Sequence, residues 1–273
     1  MSGLRRWVFA LPVGAVVTVA VIGPWLAPGS ITAPVGRPFE PGGTAHLLGT
    51  DVLGRDVLAR VLAGGRTLVL QAIAATLLGS LAGLSVGIGT ARTCHRRTAA
   101  AGQRAVDAFA AVPAVLVLLL AASGSAGSDV VVAVAITAVS IPFSVRIIHE
   151  RTSRLITTDY VCDARARGES GWAVIRYDLL PGIAPVALAE GGIRFVAATQ
   201  LAATAGFLGL GAGAPTANWG RMVRENSTGL NANPLPVIVP AVLLVVLAVG
   251  MSALLDRLAV ERAGGLEQTG QLA

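Results

Sequence analysis

Six long apolar runs, at about Trp7 to Ala27, Thr67 to Ala91, Val106 to Ala122, Val130 to Ile148, Pro185 to Leu210 and Pro236 to Leu258, constrain this chain more than anything else in it. Each approaches the ~20 apolar residues that carry an α-helix across the hydrocarbon of a bilayer. The pattern predicts an all-α membrane protein of six transmembrane helices. Only 13% of the residues are charged, where a soluble domain carries about 25%. The 273 residues leave no room for a soluble domain beside the spans.

Orientation follows from the arginines, which concentrate on the cytoplasmic side of a membrane protein. With the N-terminus inside, the outer segments hold Arg37, Arg55, Arg60, Arg66, Arg221 and Arg224, Arg194 lies within the fifth run, and every other arginine falls in the cytoplasm. Both termini are therefore expected inside. The chain divides into 1–66, an N-terminal span plus an external cap; 67–258, a five-span core with a cytoplasmic loop at 149–184; and 259–273, a cytoplasmic tail. The first run follows Arg5 and Arg6 but exceeds the 7–15 residues of a signal-peptide core, so it reads as a retained span. Trp7 and Trp25, ~27 Å apart on a helix, suit the two interfaces.

Several chemistries are excluded. All 21 basic residues are arginine, which removes a P-loop or Schiff-base lysine. Cys94 and Cys162 both fall in cytoplasmic segments, where thiols stay reduced. His46, His95 and His149 lie far apart without ligand spacing, so no metal site is expected. Gly83-Leu-Ser85-Val-Gly87 matches a hydrolase nucleophile signature, but no histidine lies inside a run to serve as base. It overlaps Gly79, Gly83 and Gly87, a small-residue ladder for close helix approach, either within this chain or against a partner. The run Gly209, Gly211, Gly213 follows a span rather than a strand and reads as a helix-ending turn. Prolines 113, 142 and 240 kink or begin helices. Glu190 and Arg194, at i and i+4, read as a structural pair near the cytoplasmic end of the fifth run. The alternative reading is an ion-coupled secondary carrier, which would place ionisable groups or broken helices at mid-membrane.

One polar island interrupts the cytoplasmic side, Asp159 to Pro185. Thr158 can cap a helix begun by Asp159, Arg165 and Arg167 fall in its last turn, and Gly168 supplies a left-handed stop. A second helix is expected from Ser170 to Leu179, ended by Pro181. This island resembles the coupling loop of ABC importer permeases, whose pattern is Glu-Ala-Ala, three residues, Gly, then Leu-Pro. Cys162 stands at the Glu position, Asp163 and Ala164 at the two alanines, Gly168 at the glycine, and Leu180-Pro181 at Leu-Pro. Asp163 is displaced one residue from the missing acid, which turns it by ~100° around the helix. Asp178 and Gly182 also depart from the family, which has His and Asn there, and the C-terminal tail has no match.

Two further blocks narrow the resemblance. The segments His46 to Leu70 and Gly206 to Val223 are similar to the opening and post-fifth-span blocks of the C-type permease of dipeptide, oligopeptide and nickel importers. The resemblance implies a type I ABC importer permease in a bacterial inner membrane, with no catalysis of its own. Implied partners are a sister permease forming a heterodimer, two ATP-binding cassette ATPases that hold the ATP and magnesium, an external substrate-binding protein, a peptide substrate and membrane lipid. Nucleic acid is not among them, and this chain itself holds no cofactor. Nickel or another small cargo is the alternative within the family. The coupling contact would involve Asp159, Tyr160, Cys162, Asp163, Ala164, Arg165, Gly168, Leu180 and Pro181. External contact with the binding protein or the sister permease would involve Gly49, Asp51, Gly54, Arg55, Trp219 and Arg221.

Overall fold

The computed structural model describes residues 2–93, 96–124, 127–213 and 215–270. The elements are α1 (Ser2–Leu26), α2 (Val57–Arg92), α3 (Arg96–Ala110), α4 (Ala114–Gly124), α5 (Asp129–Ile156), α6 (Asp159–Ala166), α7 (Gly171–Ala173), a π-turn (Val174–Leu179), α8 (Leu180–Leu208), α9 (Trp219–Asn226) and α10 (Leu235–Gly270). Helices begin where a side chain can satisfy the free amides of the first turn. Asp56 accepts from the amides of Leu58 and Ala59 to start α2, and Ser128 accepts from Val131 to start α5. Gly209, at φ +80°, ends α8 as a left-handed stop. Cys94 and His95 lie outside the described residues, as does the side chain of Trp7. Trp25 lies beneath the Arg66 guanidinium, 4.8 Å from its ring centre, an arrangement worth about 0.5–1 kcal/mol at an exposed site.

Among the described residues, four helical stretches are long and apolar enough to cross a membrane: Val57–Arg92, Asp129–Ile156, Gly171–Leu208 and Leu235–Leu255. Ala10–Leu26 is a shorter apolar helix. The third apolar run is not the straight span its hydropathy suggests. It is two helical pieces, Ala100–Ala110 and Ala114–Gly124, meeting at 82°. Pro113 occupies the corner, where its ring and missing amide stop the preceding helix and disfavour helical backbone at Val112. The break is lined by Phe109, Val117, Val139 and Phe143, an apolar corner rather than an ion-coordinating one.

The packing centres on α2. Its 36 residues make a rod of ~54 Å, against which α1, α5 and α8 lie. The glycine ladder is used inside the chain. A Cβ on Gly79 would sit 3.1 Å from Ser140 Cβ, one on Gly87 2.9 Å from Ile148 Cβ, and one on Gly83 would run into the Ser144 side chain and backbone. These three glycines set how closely α2 and α5 approach. Gly83→Val is therefore expected to destabilise the fold by about 3 kcal/mol, the upper end of ordinary overpacking. Gly89→Val, where an added Cβ meets nothing within 4 Å, should be close to neutral. Denaturant or thermal unfolding of the two purified variants in detergent checks the pair.

Among the described residues, two buried clusters result. The larger contains Leu68, Ile136, Trp219, Met222 and Leu247. The smaller gathers Ile88, Ile148, Leu155, Val161, Ala164, Val174, Leu179 and Ile183 where α2, α5 and α8 meet the polar island. Between α1 and α2, residues 27–56 form an irregular cap closed by short bridges, Pro34 to Arg55 and Thr50 to Asp56. Phe39 holds an uncommon φ of +57°, and its ring packs where Gly229 has no side chain.

Candidate functional site

The island folds onto the end of the bundle through α6. Val161 and Ala164 are fully buried in the smaller cluster, one helical turn apart on a single face. That face fixes the others: Asp159, Tyr160, Cys162, Asp163 and Arg165 are left exposed. Ala164, expected at the coupling contact, instead anchors α6 to the bundle. Thr158 stands at the N-cap but makes no capping bond. Its hydroxyl donates to the Leu155 carbonyl at 2.6 Å, because the end of α5 lies within closer reach than the amides of α6. Cys162 is exposed, its thiol 3.8 Å from the Ile156 carbonyl. Asp163 has no ion pair among the described residues. Arg167 pairs with Glu169 at 2.7 Å, and that hydrogen bond holds its guanidinium above the ordinary value.

Gly168 takes φ +78°, its amide donating to the Arg165 carbonyl and that of Glu169 to the Ala164 carbonyl. The chain beyond differs from expectation. Ser170 caps α7 by accepting from the Ala173 amide at 3.2 Å, but the second helix does not stop at Pro181. α7, the π-turn and α8 form one continuous helix, Gly171–Leu208. The widened turn, in which the Leu180 amide donates to Ile175, relieves the clash a proline ring makes with the carbonyl four residues earlier. Leu180 and Pro181 thus join the loop to the span. Arg151 secures this junction by donating to the Gly182 carbonyl at 3.1 Å, and Leu155 fills the space beside Gly182. Asp178 keeps one buried carboxylate oxygen unpartnered among the described residues.

Sequence reasoning passed over two prominent side chains here. Trp172 is 70% exposed and Tyr177 73%, and Tyr160 on α6 is 47% exposed. In a chain that is only 4% aromatic, three exposed rings in one polar segment were the available signal. Large rings with polar tips are the residues that supply area at protein interfaces.

The external residues resolve differently. Asp51 and Trp219 are fully buried and Arg55 and Arg221 nearly so, and Gly49 and Gly54 are buried turns at φ +72° and +74°. The side chains of Asp51, Arg55, Trp219 and Arg221 are thus turned into the chain rather than presented on the outer surface where the sequence placed them. They hold the cap to the bundle instead. Asp51 accepts from Arg55 at 2.8 Å and from Arg60, and both arginines also reach Glu225. Burial pushes the Asp51 carboxyl above its usual range, and the Arg60 guanidinium pulls it back. Burial likewise pulls Arg221 below its ordinary value. Arg221 donates to the Ala212 carbonyl, and the Trp219 indole donates to the Val61 carbonyl at 2.7 Å. Asn226 and Asn233 add bonds to Val52, Glu40 and Leu48. Cap, α2 and α9 thereby form one unit, and the large hydrophobic residues the cap leaves exposed are Val35, Leu47 and Leu53.

Within the bundle, Glu190 and Arg194 form the i,i+4 pair at 2.8 Å. Ser144 donates to Glu190 at 3.3 Å, and Arg194 stacks 4.8 Å from the Phe143 ring centre. His46 pairs with Asp56 and His149 with Thr90. Among the described residues no group of His, Cys, Asp or Glu could hold a metal ion.

A family model described as binding-protein-dependent transport system inner membrane component matches residues 55–260. A putative peptide transport system permease protein of Brucella suis is 35% identical over 213 residues, covering 77% of this chain and 71% of the relative. A probable D,D-dipeptide transport system permease protein of Escherichia coli is 33% identical over 211 residues, 74% and 68% respectively. A di/tripeptide transport system permease protein of Pseudomonas aeruginosa is 31% identical over 219 residues, 76% and 71%. Among solved structures, a chain of the methionine ABC transporter MetNI in an inward-facing conformation superposes with a TM-score of 0.61 at 20% identity, covering 73% of this chain and 94% of that one.

Proposed function

Because the chain belongs to the family of binding-protein-dependent transport system inner membrane components, we propose that it is a permease subunit of an ATP-driven importer of di- or oligopeptides. Its partners are a sister permease, two ATPase subunits and an external binding protein. The family is one of transport permeases rather than catalysts; ATP and magnesium belong to the ATPases. Both termini lie in the cytoplasm, so the island faces the ATPases, and Ala10–Leu26 adds a span ahead of the core. The curated relatives' names point to peptides, and no residue of this chain singles out their length.

The observation that carries the coupling assignment is the continuity of Gly171–Leu208. A helix transmits displacement along its axis as a rigid body, so sideways motion of the exposed loop becomes a tilt of the fifth span. α6 rides with it, seated on the same cluster. To move a permease pair from 1:99 to 99:1 between inward- and outward-open packings takes ~5.5 kcal/mol of differential binding, which two bound nucleotides can supply when the ATPases close on the loop.

The contact is carried by Tyr160, Trp172 and Tyr177, with Asp163 and Asp159 at its edge. Trp172→Glu is expected to cut recovery of the ATPase subunits about tenfold when the complex is purified through this chain, and Asp163→Arg to weaken it less. Undiminished ATPase recovery with Trp172→Glu would take the aromatic surface out of the contact.

A further inference from the structure

The exposed faces of the spans differ in one respect. On α10 the outward stripe is Ile238, Val242, Val245 and Val249, and on α2 it is Leu70, Leu77, Leu78 and Leu81. The α10 stripe is aliphatic, and on α2 the one polar side chain that continues the stripe, Ser85, has its hydroxyl satisfied by the Leu81 carbonyl at 2.8 Å. On α8 the corresponding face carries exposed Ile193 and Gln200, with Ala197 and Thr204 half-buried beside them. Gln200 lies eight residues below the outer end of α8 at Leu208, ~12 Å along the axis and so well inside a hydrocarbon layer of ~30 Å. Its amide is exposed and has no hydrogen-bond partner among the described residues.

An unpartnered polar group at that depth does not face lipid, because nothing there replaces its lost water. The Thr204 hydroxyl is already satisfied by the Gln200 carbonyl at 2.8 Å, which leaves the Gln200 side chain as the unmet group on this face. It borders a groove of about 260 Å³ between α8 and α10, lined by Ile193, Val196, Ala197, Gln200, Ser252 and Leu255. A packed subunit seam would need a matching ridge to fill that groove; a passing solute needs it open.

We infer that this face of α8 lines the translocation path and that Gln200 is a contact for the moving peptide. The inference rests on the importer reading above. A carboxamide offers one acceptor and two N–H donors, the complement of a peptide group's own N–H and C=O. It is neutral, so it would engage the backbone of a peptide whatever charges its side chains carry, and a single such contact is weak enough to release.

The test uses the full complex with its sister permease, ATPases and binding protein in proteoliposomes. Gln200→Cys and Val245→Cys are compared for reaction with a charged, membrane-impermeant methanethiosulfonate, the unsubstituted chain giving the background from Cys94 and Cys162. Gln200→Cys is expected to react at least tenfold faster than Val245→Cys, to lose most of its peptide uptake on reaction, to be shielded by peptide with binding protein, and to retain the sister permease. Reaction as slow as that of Val245→Cys overturns the proposal and leaves the importer reading standing. Shedding of the sister permease by Gln200→Leu also overturns it and makes the face a subunit seam. Rapid, ATP-dependent reaction in a complex that takes up no di- to pentapeptide would support the path while removing the peptide reading.

Discussion

Gly168→Pro is expected to abolish peptide uptake while leaving the protein inserted and folded in the membrane. The residue holds φ +78°, and a proline ring fixes φ near −65°. The ring would also remove the amide that donates to Arg165, and it disfavours the helical backbone that Arg167 adopts at φ −69°, ψ −5°. Both flanks are anchored, α6 by Val161 and Ala164, the following helix by Val174 and Leu179. A changed turn therefore pulls one flank off the bundle and redirects the exposed face. Gly168→Ala separates geometry from space: an added Cβ meets nothing within 4 Å, so its cost is the left-handed backbone alone, ~1–2 kcal/mol, and uptake should fall without vanishing. Transport assays on the two variants in reconstituted complexes, with surface expression measured in parallel, decide the matter. Normal uptake by Gly168→Pro would separate the loop from energy coupling.

Asp51→Ala is expected to cost about 3–5 kcal/mol, the penalty for leaving buried charge without its partner. Arg60 and Arg55 are almost entirely enclosed, and Glu225, partly exposed, is the acid left to share between them. Asp51 also accepts the backbone amides of Leu53 and Arg55, so the turn at Gly54 loses support at the same time. The result should be a large fall in the unfolding midpoint in detergent. Arg37→Ala, on the same cap but exposed and without an ion pair among the described residues, should leave it unchanged. Equal stability of the two variants would show that the buried cluster contributes nothing to holding the cap.

The two variants mark where the sequence was legible and where it was not. Gly168 could be read locally: a glycine just past Arg165 and Arg167, at the end of a short helical segment, is the ordinary left-handed stop of a helix. The ladder Gly79, Gly83 and Gly87 was equally plain as a close-packing face, but its partner was not, because α5 is chosen by the whole bundle and leaves no mark on α2. Asp51, Arg55, Trp219 and Arg221 were misplaced for the same reason. Polar and aromatic residues in a loop read as surface unless their partners are known, and the Trp219 indole bonds to Val61, far away in the chain. Pro113 and Pro181 show a subtler limit. Both are prolines in or beside apolar runs, yet one turns the chain through 82° while the other is absorbed in a continuous helix. Hydropathy measures affinity for lipid and carries no direction, and only the neighbouring backbone decides between a corner and a widened turn.

That widened turn sets the angular relation between the two ends of its helix. A π-turn is, in effect, one residue more than an α-helix needs over the same rise, and each residue advances the helix by ~100°. The six residues Val174–Leu179 thus act as a phase setting: upstream of them Trp172 looks outward from the loop, downstream of them Glu190 looks inward to Ser144. Removing one residue from the turn would restore ordinary helix and leave the contacts of the span beyond Leu180 in place, while swinging Trp172 about a quarter-turn away from whatever it now faces.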